Sequence, residues 1–136
     1  MEQKIIRDVL FLSQKSTDAA KSDIPVGTDL LDTLRANRSR CAGLAANMIG
    51  IKKRIIAVAD GPLNLVMFNP KILQRNGRYD TEEGCLSLDG VRPAVRWSSI
   101  TVEYMDLNWK KQKRFYSGFT AQAIQHEMDH LEGILI

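Results

Sequence analysis

Histidine and cysteine are scarce in this chain. Two histidines, His126 and His130, and two cysteines, Cys41 and Cys85, are all it has in 136 residues. No apolar stretch approaches the ~20 residues of a membrane-spanning helix. The charged segment from Met1 to Asp8 has no long apolar run behind it, so neither a secretory leader nor a membrane span is expected. The cytoplasm is then the expected compartment, and in its reducing conditions a disulfide is not expected. The weight of the two thiols moves to metal binding or catalysis. Blocks of roughly five or six like charges, which mark interaction tails, are also missing. The net charge is only +3, and the densest basic stretch is Lys110, Lys111, Lys113 and Arg114. That stretch reads as a solvated hairpin, the alternative being weak attraction to an anionic surface such as RNA. There is no internal repeat, low-complexity segment or linker, so one domain over residues 1–136 is expected.

What the chain does have is ordinary globular composition, 44% hydrophobic and 26% charged. Lys21 to Gly27, with Pro25, reads as a loop, and Thr28 or Asp29 can cap a helix carrying Leu30, Leu31 and Leu34. Ala42 to Gly50 is rich in small residues. Ile55 to Ala59 and Leu63 to Phe68 read as buried strands, the second stopped by Asn69-Pro70. Val91 to Trp97 and Ile100 to Met105 read as further strands, the latter alternating with period two, and Arg114 to Tyr116 as a hairpin partner. Gly118 and Thr120 open a helix from about Ala121 to Leu131. The strands are short and lack helix-length separations. The pattern predicts an α+β fold of mostly antiparallel sheets packed around the C-terminal helix.

That helix carries the chemistry. In His126-Glu127-Met128-Asp129-His130 the two imidazoles lie four apart, on one helix face and one turn from each other. Two neutral imidazoles so placed can bind one ion at about 2.0–2.1 Å each, and Glu127 is placed to take a proton from a water on that ion. A third ligand is needed. Only Leu131 to Ile136 follow His130, so it is expected from upstream, and Cys85 in Glu83-Gly84-Cys85-Leu86-Ser87 is the best candidate. Gly84 before it lets backbone approach a ligand closely. Taken alone, Cys85 reads as an inert buried thiol. Beside an unfinished two-histidine site it completes a Cys, His, His set with the fourth position open to water, the catalytic rather than the structural pattern. Phe119 and Ala123 fall on the helical stripe leading to His126 and read either as core or as the wall of a substrate pocket.

The motifs together resemble the peptide deformylase family. Gly43-Leu44-Ala45-Ala46-Asn47-Met48-Ile49-Gly50 is similar to its first motif, Glu83 to Ser87 matches its second, and Gln125 to Leu131 matches its third. The resemblance implies removal of the formyl group from the N-terminal formyl-methionine of nascent proteins, with release of formate. It implies Fe²⁺ as the natural ion, with Zn²⁺, Ni²⁺ or Co²⁺ as substitutes. It implies that the Leu86 N–H helps hold the developing oxyanion, that Arg92 steadies the peptide end of the substrate, and that backbone at Ala42, Gly43 and Leu44 binds the peptide as an added strand. The nascent formyl-methionyl peptide is the expected partner, with a transient ribosome contact and no membrane or sequence-specific nucleic acid.

Two positions depart from the family pattern. Cys41 stands where a glycine is usual. Met48 stands where the family has a glutamine whose amide donates to the oxyanion, and a thioether has no donor. Reduced turnover is expected. Two competing readings follow: a catalytically degenerate paralogue that binds N-terminal peptides or a ribosomal partner, which Met48 favours, and a zinc peptidase, against which the missing downstream ligand argues.

Overall fold

A computed structural model describes residues 1–136. The elements run α1 (Val9–Leu12), α2 (Ile24–Ala36), β1 (Gly43–Ala45), β2 (Ile55–Asp60), β3 (Leu63–Cys85), β4 (Leu88–Met105), β5 (Lys111–Ser117) and α3 (Gly118–Leu131), with short 3-10 turns at Lys21–Asp23 and Ala46–Ile49. No helix is long and apolar enough to cross a membrane. The α+β class is as expected. The strands form one antiparallel sheet in the order β1-β2-β3-β4-β5 rather than several sheets, and α3 packs against β1, β2, β4 and β5. Gln125 pins that packing: its Oε1 accepts from the Trp97 N–H at 2.8 Å and its Nε2 donates to the Trp97 carbonyl at 2.8 Å.

The strands are not all short. β3 and β4 make a hairpin of 23 and 18 residues. Lys71 to Tyr79 carries no apolar alternation and is largely exposed, so periodicity could not reveal a strand held by its ladder alone. Asn69-Pro70 does not stop β3 either. The register shifts between Phe68 and Lys71, and Asn69 adopts a positive φ of 53°. This is a bulge, the one place inside a sheet where proline's missing N–H costs little. The Asn69 amide is fully used there: Oδ1 accepts from the Ala19 N–H at 2.8 Å and Nδ2 donates to the Ala19 carbonyl at 3.0 Å.

The first long helix begins earlier than expected. Lys21 to Gly27 is helical rather than loop, and α2 starts at Ile24 with Pro25 in its first turn. Proline's fixed φ and missing N–H suit that position. Leu30, Leu31 and Leu34 enter a core shared with Ile55, Ile56, Phe68 and Ile124. Gly27 explains itself by contact: a Cβ there would lie 2.4 Å from Cζ of the fully buried Phe68. α3 likewise begins at Gly118, three residues before the expected start, where a φ of 61° turns the chain out of β5.

Gly27→Ala tests this packing. Alanine favours a helix interior by about 1 kcal/mol, but overpacking a filled core costs roughly 1–3 kcal/mol. Phe68 is fully buried, so a net destabilisation of up to about 2 kcal/mol is expected from the urea midpoint. A more stable variant would show that the ring yields.

Candidate metal centre

α3 and the turn of the long hairpin meet at the floor of a cleft of about 1070 Å³. Three donor atoms converge there, one each from Cys85, His126 and His130, all within 4.8 Å of one another. His126 Nε2 and His130 Nε2 are 3.1 Å apart, and Cys85 Sγ is 3.3 Å from His130 Nε2. Ligands at tetrahedral angles on one ion stand about 3.3 Å apart for two imidazoles and about 3.5 Å for imidazole and thiolate. The donor set therefore fits one divalent ion. The Ser87 N–H also points at Cys85 Sγ at 3.5 Å.

Behind the ligands lies a chain of buried charge. His126 Nδ1 donates to Glu83 Oε1 at 2.8 Å, which aims Nε2 at the Cys85 and His130 donors. Glu83 in turn accepts from Arg96 Nη2 at 2.6 Å, Arg96 Nε at 3.0 Å and Gln122 Nε2 at 2.9 Å. Arg96 Nη1 reaches Asp129 Oδ2 at 2.8 Å. Burial alone would raise the Glu83 pKa, but the hydrogen bonds from His126, Arg96 and Gln122 hold it down at about 2. For His126, burial opposes the charge, yet hydrogen bonds to Cys85 and Glu83 raise the pKa to about 10. His130 is driven the other way, to about 3, by burial and by the charges of His126 and Arg96. One imidazole is thus a neutral donor, and an ion entering would displace the proton of the other.

Glu127 sits beside this set and is buried. Its Oε1 has no hydrogen-bond partner in the protein. Burial is the largest influence on it and pushes the carboxyl up to about 7, against the pull of cationic His126. Gly43 makes room for it: a Cβ at that position would lie 2.9 Å from both Cγ and Oε2 of Glu127.

A family model described as polypeptide deformylase matches residues 4–136. The chain belongs to the peptide deformylase family. It is 55% identical to the peptide deformylase of Clostridium beijerinckii over 136 residues, all of both chains. It is 45% identical to that of Desulforudis audaxviator, covering 81% of this chain and 72% of the relative. Among solved structures it resembles a class I type b peptide deformylase from Acinetobacter baumannii with TM-score 0.88 and 28% identity, over 99% of this chain and 96% of that one. A Met-Ala-Ser-bound structure of the same bacterial enzyme matches with TM-score 0.86 and 28% identity, over 99% and 97% of the two chains. The deformylase family is one of metal-dependent hydrolases, and this chain is such an enzyme.

All three deformylase motifs reach the cleft, though not every expected residue lines it. Cys85, His126, Glu127, Ala42, Gly43, Gly84, Leu86, Phe119 and Ala123 line it. His130 lies just beneath, almost fully buried, and Leu44 is buried in the core. The Leu86 N–H has no partner within the protein, while its carbonyl accepts from Arg7 Nη1 at 3.2 Å. Arg92 stands apart from the cleft walls, donating to the Asp89 carbonyl at 3.2 Å. Met48 is buried too, its sulfur accepting the Ala45 N–H at 3.4 Å. Glu83 opens a matched motif, but its pairing with Arg96 had no signal in the sequence. They are 13 residues apart across a turn, and in the ladder Arg96 pairs with Tyr79 rather than with Glu83.

The Glu83 carboxyl has a lower pKa folded than the ordinary 4.5 of an unfolded chain. Its stabilising share is therefore complete above about 4.5 and is lost as pH falls toward about 2. Glu83→Gln is expected to flatten the acid limb of a urea-midpoint series against pH. It should also weaken metal affinity by roughly 10–100-fold, as other losses of a ligand's hydrogen-bond partner do. Unchanged metal titrations would remove Glu83 from the site.

Proposed function

We propose that Cys85 Sγ, His126 Nε2 and His130 Nε2 hold one divalent ion, Fe²⁺ in the cell with Zn²⁺, Ni²⁺ or Co²⁺ as working substitutes, and that Glu127 is the proton shuttle of the deformylase reaction. The chemistry supported is hydrolysis of the formyl amide of a formyl-methionyl peptide, giving formate and a free amine. The observation that carries this reading is Glu127: a buried carboxyl with an unpartnered Oε1, next to three converging donors at the floor of an open cleft. A divalent ion with three protein ligands leaves a position open, lowers the pKa of a water there to about 7 and polarises a carbonyl oxygen.

The protein's own groups do the rest. Glu127 takes the water's proton as the oxygen joins the formyl carbon. The Leu86 N–H, free of protein partners, donates to the formyl oxygen as it gains charge. Glu127 then passes the proton to the leaving nitrogen, the carbon–nitrogen bond breaks, and formate departs. A carboxyl pKa near 7 suits both halves of that task. Phe119 and Ala123 would form the wall for the methionine side chain. β1 is an edge strand, paired only with β2; the Ala42 carbonyl before it accepts from the Ala59 N–H at 2.8 Å, and the open side beside Ala42 and Gly43 suits pairing with an extended peptide. Leu44 supports that edge from the core, and Gly84 keeps the facing wall narrow. Arg92 braces the turn that carries Leu86 and Asp89. The nascent chain, met in the cytoplasm and in passing at the ribosome, is the proposed partner.

Glu127→Gln keeps size and polarity and removes the base. Metal content should stay nearly normal while formate release from a formyl-methionyl peptide falls by roughly 10²–10⁴. A variant as fast as the natural protein would rule out the shuttle.

Met48 places the remaining expectation. A thioether cannot donate to the oxyanion, and losing one such donor costs about 2.7–4 kcal/mol in other hydrolases. The loss falls on turnover, because charge is greatest in the transition state. Met48→Gln is expected to raise kcat at least about tenfold with little change in KM. An unchanged kcat in an already fast enzyme would mean that another group donates to the oxyanion. Two inactive, metal-loaded forms would favour the peptide-binding reading instead.

A further inference from the structure

The cleft has a direction. The reacting end of a bound peptide must lie at Glu127, which packs on Gly43. From Gly43 a peptide paired with the β1 edge can run only one way. Leu44 and Ala45 are fully buried, whereas Ala42, Cys41, Arg40 and Arg38 continue the cleft wall. An extended peptide advances about 3.3 Å per residue. Arg38 and Arg40 lie not on β1 but in the turn before it, where the Arg40 N–H donates to the Asn37 carbonyl at 2.9 Å, and they continue the cleft wall beyond Cys41; a peptide running that way carries its third and fourth residues towards them.

These two arginines are unlike the other charges of the cleft. Arg7 is paired with Asp89 at 2.7 Å, and Glu83 with Arg96 at 2.6 Å. Arg38 and Arg40 take part in no ion pair. Neutral acceptors hold them instead. Arg38 donates to Asn64 Oδ1 and to the Gly61 carbonyl, and Arg40 Nη2 donates to Asn37 Oδ1 at 2.5 Å. Each guanidinium is thus oriented without being neutralised, and each keeps N–H donors of its five for a carboxylate. Apart from Glu127 at the floor, the unpaired acid of the cleft is Glu82, which belongs to β3 and stands on the hairpin side rather than along β1.

We propose that Arg38 and Arg40 read the charge of the nascent peptide beyond its second residue and favour Asp or Glu at its third and fourth positions. This rests on the deformylase reading of the site. Because both side chains are exposed, the preference is a matter of severalfold, expressed in KM and weakened by salt.

The test compares formate release by the metal-loaded enzyme from formyl-Met-Ala-Asp-Asp, formyl-Met-Ala-Ser-Ser and formyl-Met-Ala-Lys-Lys. At low ionic strength the acidic peptide should exceed the neutral one by about threefold or more in kcat/KM, with the gap closing in about 0.5 M salt. The double variant Arg38→Glu/Arg40→Glu should reverse the order, so that the lysine peptide leads. Arg38→Gln/Arg40→Gln should merely level it, and serves if the reversed variant fails to fold. Equal kcat/KM for the three peptides in the natural protein, or an acidic preference that survives in the folded variants, overturns the proposal. Formate release from the neutral peptide keeps the two readings apart. If it proceeds while the ratios are flat, only the arginine proposal fails; if no peptide yields formate with metal bound, both fail.

Discussion

The ion pair between Glu83 and Arg96, closed on one side by His126 and on the other by Asp129, is the constraint on which the site depends. Charges buried this deeply are costly to desolvate and are kept only when their hydrogen bonds are filled. Here Glu83 accepts from Arg96, His126 and Gln122 together. The result ties together three pieces of chain that the ladder and Gln125 already bring near one another: the end of β3, the middle of β4 and the buried face of α3. The same bonds orient the His126 ring, so the element that folds the site also aims one of its candidate ligands.

The long hairpin makes sense in that light. Most of its outer length buries little and is held by the ladder between β3 and β4. Its inner end carries Glu83, Gly84 and Cys85 to the helix. The register shift between Gly84 and Cys85 turns the strand at the point where Cys85 Sγ comes within 3.3 Å of His130 Nε2. A regular ladder would carry side chains to alternate faces without that adjustment.

Opposite the hairpin, the sheet offers a bare edge at β1, and the tolerance there is small. Glu127 is buried against Gly43 with no space for a Cβ, and Met48 and Asn47 sit in the tight turn that follows. Asn47 Nδ2 donates to the His130 carbonyl at 3.0 Å, so the turn after the edge strand and the end of α3 are one unit. The polar groups at the floor of the cleft are therefore fixed in place, which suits a hydrolytic site.

Much of this was legible in the chain itself. Two histidines four apart with an intervening glutamate define a helix face by local geometry, since a helix turns once in 3.6 residues whatever surrounds it. Cys85 could be named as the candidate third ligand because the chain has no third histidine and only one other cysteine. The α+β class followed from the order and period of apolar residues. What tertiary structure alone decided was everything without a local period. The outer half of the long hairpin is polar on both faces, so no alternation marked it. Asn69-Pro70 reads as a stop by local rules and becomes a bulge because Ala19, distant in sequence, satisfies the asparagine amide. Glu83 and Arg96 meet only because a bent ladder and a buried helix bring them to one point, and the interaction energy of charges depends on distance and burial, neither of which is written in the sequence.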